Sequence, residues 1–160
     1  APVHDAVFPA ASSEIFVTCS HSDIRVWNAS TRAELLRIRV PNLECLCVDV
    51  MGHGRSIVSG WDDGKIRAFY PESGRLQYVI TDAHADAVTA VACTHDNTRL
   101  VSGGSDGRVR VWNVAGRTQV MEHSFKEHKK AVTSVQINAD DTECLSSSAD
   151  GSCIVWNLVR

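Results

Sequence analysis

An all-β chain built from about four repeated antiparallel units is predicted by three features of the sequence. The first is a recurring aromatic segment: Ile24-Arg25-Val26-Trp27-Asn28, Ile66-Arg67-Ala68-Phe69-Tyr70, Val109-Arg110-Val111-Trp112-Asn113 and Ile154-Val155-Trp156-Asn157. The second is its spacing. The aromatics at 27, 69, 112 and 156 are separated by 42, 43 and 44 residues, the period of β-propeller blades rather than of shorter solenoid repeats. The third is a turn signal at a fixed place: Asp63-Gly64, Asp106-Gly107 and Asp150-Gly151 stand six and five residues before their aromatics.

Each unit follows from local chemistry. Asp-Gly favours a hairpin turn, because glycine tolerates positive φ and aspartate bonds nearby backbone N–H groups. Before each turn lies an apolar run: Ser56-Ile57-Val58-Ser59, Arg99-Leu100-Val101-Ser102 and Glu143-Cys144-Leu145-Ser146. Two β-like runs joined by Asp-Gly make a hairpin. Val88-Thr89-Ala90-Val91-Ala92 and Val132-Thr133-Ser134-Val135-Gln136-Ile137 alternate at period two and supply a further strand. Leu35 to Val40, Leu76 to Ile80 and Thr118 to Phe125 supply an outer one after turns such as Glu72-Ser73-Gly74. No segment reads as a helix. The blade-like units fall at 1–41, 42–83, 84–127 and 128–160, the last stopping before its fourth strand.

Composition sets the outer bounds. The chain has 160 residues, 44% hydrophobic and 22% charged, which suits a folded domain and excludes wholesale disorder. No apolar run approaches the roughly 18 residues of a membrane span. The formal charge of −3 argues against nucleic acid as a partner, since phosphate binding needs a concentrated basic surface. The start, Ala1-Pro2-Val3-His4-Asp5, has neither a basic nor an apolar leader region and no initiator Met, so the ends are expected to be fragment boundaries. Without a leader, the six cysteines are expected to be reduced thiols, mostly small hydrophobes in apolar strands. Cys45 and Cys47, two apart, are expected on one face of a strand.

The repeats resemble the WD-repeat family of β-propellers over essentially the whole chain. His84 precedes Asp106 by 22 residues and Trp112 by 28, and His128 precedes Asp150 and Trp156 by the same distances. In that family a loop His, a strand Ser or Thr, the turn Asp and the Trp form a buried hydrogen-bonded tetrad. The resemblance assigns that role to His84, Ser102, Asp106 and Trp112, and again to His128, Ser146, Asp150 and Trp156. The first two repeats depart from it. His21 stands where the turn Asp belongs, with Thr18 able to take the Ser role through a shorter turn. The second repeat keeps Ser59 and Asp63 but has Phe69 for Trp, and its His position falls near Pro41-Asn42. Neither is expected to hold a full tetrad.

Other chemistries fit less well. Ser102, His84 and Asp106 could be read as nucleophile, base and orienter. Two copies at one spacing, a serine accepting from an indole N–H, and no Gly-x-Ser-x-Gly elbow favour a fold element instead. His4, His21, His53, His95 and His123 are scattered among turns, and no Cys/His set has zinc-ligand spacing, so no metal or cofactor is expected. Ser102-Gly103-Gly104-Ser105 lacks the Lys-Ser/Thr ending of a phosphate loop. Arg25, Arg67 and Arg110 each stand two residues before the aromatic. Their stems are expected to pack along it between blades, the sharper reading being a basic row for an acidic partner. Lys129 and Lys130 lie in a solvated loop.

Propellers mostly serve as rigid platforms, so the residues themselves imply a non-enzymatic interaction scaffold. Several stretches, among them Asp63-Gly64-Lys65-Ile66-Arg67-Ala68-Phe69 and Lys126-Glu127-His128-Lys129, are similar to a family of WD-repeat proteins of motile axonemes. That resemblance implies a structural role inside doublet microtubules of cilia and flagella, with tubulin and other inner proteins as partners. Arg25, Arg67, Lys129 and Lys130 are its candidate partner-facing residues. The alternative is a cytosolic scaffold for signalling or ubiquitin-ligase complexes. Since rings of this kind take four to eight blades, the chain is expected to be an arc of a larger propeller, with open strand edges that favour self-association.

Overall fold

The computed structural model describes residues 1–10, 14–52 and 54–159. The expectations for His53 and Arg160 lie outside these. The described residues form four meandering antiparallel sheets and no helix. The first sheet contains β1 (Asp5–Val7), β2 (Ile15–Cys19), β3 (Asp23–Asn28) and β4 (Glu34–Arg39). The second contains β5 (Cys45–Met51), β6 (Ser56–Trp61), β7 (Ile66–Phe69) and β8 (Leu76–Ile80). The third contains β9 (Val88–Cys93), β10 (Arg99–Gly104), β11 (Val109–Asn113) and β12 (Val120–Phe125). The fourth has three strands, β13 (Val132–Ile137), β14 (Glu143–Ser148) and β15 (Cys153–Asn157).

Strand alternation gives every sheet two faces, and consecutive sheets pack face to face through three apolar seams. The first joins Val17, Ile24 and Val26 to Ile57, Trp61 and Phe69. The second joins Val58, Ile66 and Ala68 to Val88, Leu100 and Trp112. The third joins Ala92, Val101 and Val111 to Val135, Cys144 and Trp156. One rule runs through all three: a Val- or Ala-rich face meets the aromatic face of the following sheet. Thr89, Val91, Thr133 and Val135 from the inner strands β9 and β13 share a cavity of about 310 Å³ with Asp5 and Cys47 of β1 and β5.

Two glycine roles shape the seams. Gly64 and Gly107 close the Asp-Gly turns at φ 81° and 79°, where L side chains are strained. A Cβ on either would also lie 2.5 Å from His84 O or 2.7 Å from His128 O, so the turn must stay bare for the next loop to reach it. Gly103 is needed for space alone, since its Cβ would fall 2.4 Å from Val132 Cγ1. Gly103→Ala should therefore force the third seam apart and cost about 1–3 kcal/mol, the usual penalty of overpacking, measured by chemical denaturation.

The cysteine expectation needs one correction. A β-bulge between Cys45 and Cys47 sets them opposite consecutive residues, Trp61 and Gly60. They consequently lie on opposite faces, Cys45 in the first seam and Cys47 in the second. Burial pushes both thiols well above their ordinary range and raises Cys144 to about 12. Thiolate, not thiol, is the nucleophile. The buried sulfurs should therefore react with a thiol reagent only on denaturation.

Candidate functional site

The third sheet brings His84, Ser102, Asp106 and Trp112 together. Trp112 Nε1–H donates to Ser102 Oγ at 3.0 Å, and Ser102 Oγ lies 2.8 Å from His84 Nε2. His84 Nδ1 lies 3.0 Å from Asp106 Oδ1. Indole can only donate and carboxylate can only accept, so the protons run one way: Trp to Ser, Ser to His, His to Asp. This chain holds a neutral imidazole. Burial pushes His84 below its ordinary value of 6.5, against the pull of Asp106. Burial would raise Asp106, but the N–H groups of Arg108 and Ala85 and the nearby His84 hold it below 3.8. Gly104 has no side chain because its Cβ would lie 2.5 Å from His84 Nδ1 and 2.7 Å from Asp106 Oδ1.

The fourth sheet builds the set differently. Trp156 donates to Ser146 Oγ at 2.8 Å, which lies 2.7 Å from His128 Nε2. His128 Nδ1 then meets Ser152 Oγ at 2.8 Å, and the Ser152 hydroxyl passes its proton to Asp150. Asp150 itself is 3.6 Å from the imidazole. Ser152 is thus a fifth member, found only in three dimensions. Asp150 also accepts from Lys129 N at 2.7 Å, tying the entering loop to the turn.

The first two sheets keep only fragments of this scheme. Trp27 donates to Thr18 Oγ1 at 3.0 Å, which places Thr18 in the serine position. In the second sheet, wholly buried Trp61 donates to Ser59 Oγ at 2.8 Å. Trp61 occupies the position that is Gly104 in the third sheet. Where a histidine enters, that position must be bare; where none enters, an indole fills the space and finds the serine. Sequence reasoning missed Trp61, although its signal was present: a Trp two residues after Ser59 in the repeat that lacks the loop histidine.

None of these sets offers a nucleophile. Ser102 and Ser146 are completely buried, and each hydroxyl oxygen already accepts an indole N–H. Among the described residues no group of three or more His, Cys, Asp or Glu side chains is arranged to hold a metal ion. What the arrangement does supply is a pH-dependent brace. Unfolding returns His84 to its ordinary value, so below about pH 6.5 the unfolded chain binds more protons. The His84 contribution is complete above that pH and is lost as pH falls toward the lower folded value. Asp106, held low in the fold, adds a second loss below about pH 3.8. The melting temperature should therefore drop as pH falls below about 6.5, and His84→Gln should flatten that limb. A His84→Gln curve parallel to wild type would contradict the assignment.

The candidate partner-facing residues divide in two. Arg25 bonds Asp23 at 3.1 Å and lies 6.0 Å from the Trp27 ring. Arg67 bonds Asp63 at 2.8 Å and stacks over Trp61 at 5.4 Å rather than over Phe69. Arg110 donates to Ala83 O at 2.8 Å. All three are engaged within the fold. Lys129 and Lys130 are exposed beside the His128 loop.

Repeated antiparallel sheets, Asp-Gly turns and buried Trp-Ser-His sets are the pattern of WD repeats, here following one another as an arc of a β-propeller. The family model described as WD domain, G-beta repeat matches residues 74–113 and 119–157. Over 127 residues, 79% of this chain, it is 56% identical to cilia- and flagella-associated protein 52 of Sus scrofa and 55% to that of Homo sapiens. The Chlamydomonas reinhardtii protein of the same name is 49% identical over the same length. The chain spans about a fifth of the length of these relatives, 20% or 21%. In fold it is similar to the crystal structure of the computationally designed Ika4 protein, with a TM-score of 0.79 and 25% identity over 98% of this chain and 91% of that one.

Proposed function

We propose that this chain is part of a non-enzymatic scaffold of motile cilia and flagella, which binds tubulin and other inner proteins within axonemal doublet microtubules. The observation that carries the reading is the 49% identity retained with a Chlamydomonas cilia- and flagella-associated protein, alongside 56% with a mammalian one. The structure supports a mechanical role through its chemistry. The buried Trp, Ser and His side chains of the third and fourth sheets bond one another, and apolar seams join consecutive sheets, an arrangement suited to a stiff plate. Exposed Lys129 and Lys130 are the cationic candidates for an acidic tubulin surface, whereas Arg25 and Arg67 act through the fold. The same reading includes association of the chain with itself through its open strand edges.

A tagged full-length protein expressed in a ciliated cell tests the function. Retention in detergent-extracted axonemes supports it. A freely soluble cytosolic pool overturns it and favours a scaffold for signalling or ubiquitin-ligase complexes. Lys129→Glu combined with Lys130→Glu should reduce axonemal retention without changing the melting temperature.

A further inference from the structure

Arg25, Arg67 and Arg110 hold one position in three successive sheets, yet only two of them keep a carboxylate. Arg25 pairs with Asp23 at 3.1 Å and Arg67 with Asp63 at 2.8 Å. Asp106 stands before Arg110 as Asp63 stands before Arg67. Asp106, however, is turned to His84, whose Nδ1 lies 3.0 Å away. Building the tetrad thus takes the acid from the arginine. Among the described residues Arg110 forms no ion pair. Its bonds all go to neutral oxygens. Nη1 donates to Ala83 O at 2.8 Å and to Asp82 O at 3.4 Å, and Nε donates to Ser124 Oγ at 3.1 Å.

The residue paired opposite the arginine also differs between sheets. Arg25 faces Arg37, Arg67 faces Val79, and Arg110 faces Ser124. Only the third sheet sets a hydroxyl there. Ser124 is exposed on β12, the outer edge strand of a sheet that packs against a sheet on either side. The Nε–H and one Nη2–H of a guanidinium share an edge, the fork that takes two oxygens of a carboxylate or phosphate in parallel bonds. In Arg110 that edge meets one serine oxygen, and Nη2 makes no hydrogen bond among the described residues. An uncompensated positive charge therefore faces an accessible hydroxyl that can be given a negative one.

We propose that Ser124 is a phosphorylation site and that the Nε–Nη2 edge of Arg110 receives its phosphoryl group. The donor is a nucleoside triphosphate bound to a protein kinase. Ser124 Oγ attacks the terminal phosphorus, the bond to the bridging oxygen breaks with its electron pair, the nucleoside diphosphate leaves, and the hydroxyl proton passes to the kinase's base. The modification turns one neutral bond into a charge-assisted pair and ties β12, through Arg110, to the loop at Asp82 and Ala83 that enters the third sheet.

Two measurements test it. Phosphoserine is placed at position 124 of this chain by codon reassignment and titrated by phosphorus NMR. Its second pKa should fall below about 5.5, from about 6 for a free phosphoserine, because the guanidinium favours the dianion. Arg110→Gln should restore the free value. If circular dichroism shows that variant unfolded, Arg110→Met keeps the apolar stem and should do the same. A phosphate with the free value, or one that ignores the Arg110 substitutions, overturns the receiving site. Mass spectrometry of full-length protein from ciliated cells treated with phosphatase inhibitors should find phosphate on Ser124. A spectrum that covers Ser124 and shows it only unmodified overturns the modification.

Discussion

Trp61→Ala should lower stability by about 3–5 kcal/mol, the cost of emptying a fully enclosed large side chain. Trp61 is completely buried in the first seam, its indole N–H satisfied by Ser59 and its ring covered by the Arg67 guanidinium. Truncation leaves a cavity, removes the stacking surface of Arg67 and leaves Ser59 without its donor. Trp61→Phe separates these losses. It keeps most of the volume and should recover more than half of the stability, with the residual deficit reporting the bond to Ser59. A loss below about 1 kcal/mol for Trp61→Ala would show that the second sheet is braced elsewhere.

Ser102→Ala is expected to have the next largest effect. The substitution removes only one oxygen, yet leaves Trp112 Nε1–H without an acceptor and His84 Nε2 without a donor. Burial of an unsatisfied group costs about 1–3 kcal/mol, more than the roughly 1 kcal/mol net value of an intact hydrogen bond. Calorimetry should register this as a drop of several degrees. Asp106→Ala and Asp150→Ala should act in the same direction, the second more weakly because Ser152 stands between Asp150 and the imidazole. If neither aspartate variant alters the melting temperature, the tetrads are not a brace. A hydrolytic role would require catalysis to vanish in Ser102→Ala while stability held, the reverse of what burial dictates.

The repeat period, the Asp-Gly turns and the aromatic segments were legible because each is a short-range demand: a turn needs its glycine, and a blade needs its alternation. The third sheet's set could be located from spacing and family resemblance together, since its four members stand directly in contact. What escaped the reading depended on neighbours distant in sequence. Ser152 looks like an ordinary turn residue until His128, 24 residues away, is brought beside it. Trp61 looks like a strand-end aromatic until the absence of a loop histidine opens the space it fills. The bulge that sends Cys45 and Cys47 to opposite faces leaves no mark in a period-two pattern, because it is set by pairing with β6. Arg67 went to Trp61 rather than Phe69 for the same reason.

The central claim is that the second, third and fourth sheets are each locked by an indole N–H buried against a serine in the seam with the preceding sheet. Hydrogen exchange of the tryptophan indoles, followed by NMR in the intact chain, tests it most directly. The account predicts slow exchange for Trp61, Trp112 and Trp156, each collapsing toward the free rate when Ser59, Ser102 or Ser146 respectively is replaced by alanine. Rapid exchange of these three indoles in the native protein, or protection unchanged by the serine substitutions, would contradict it.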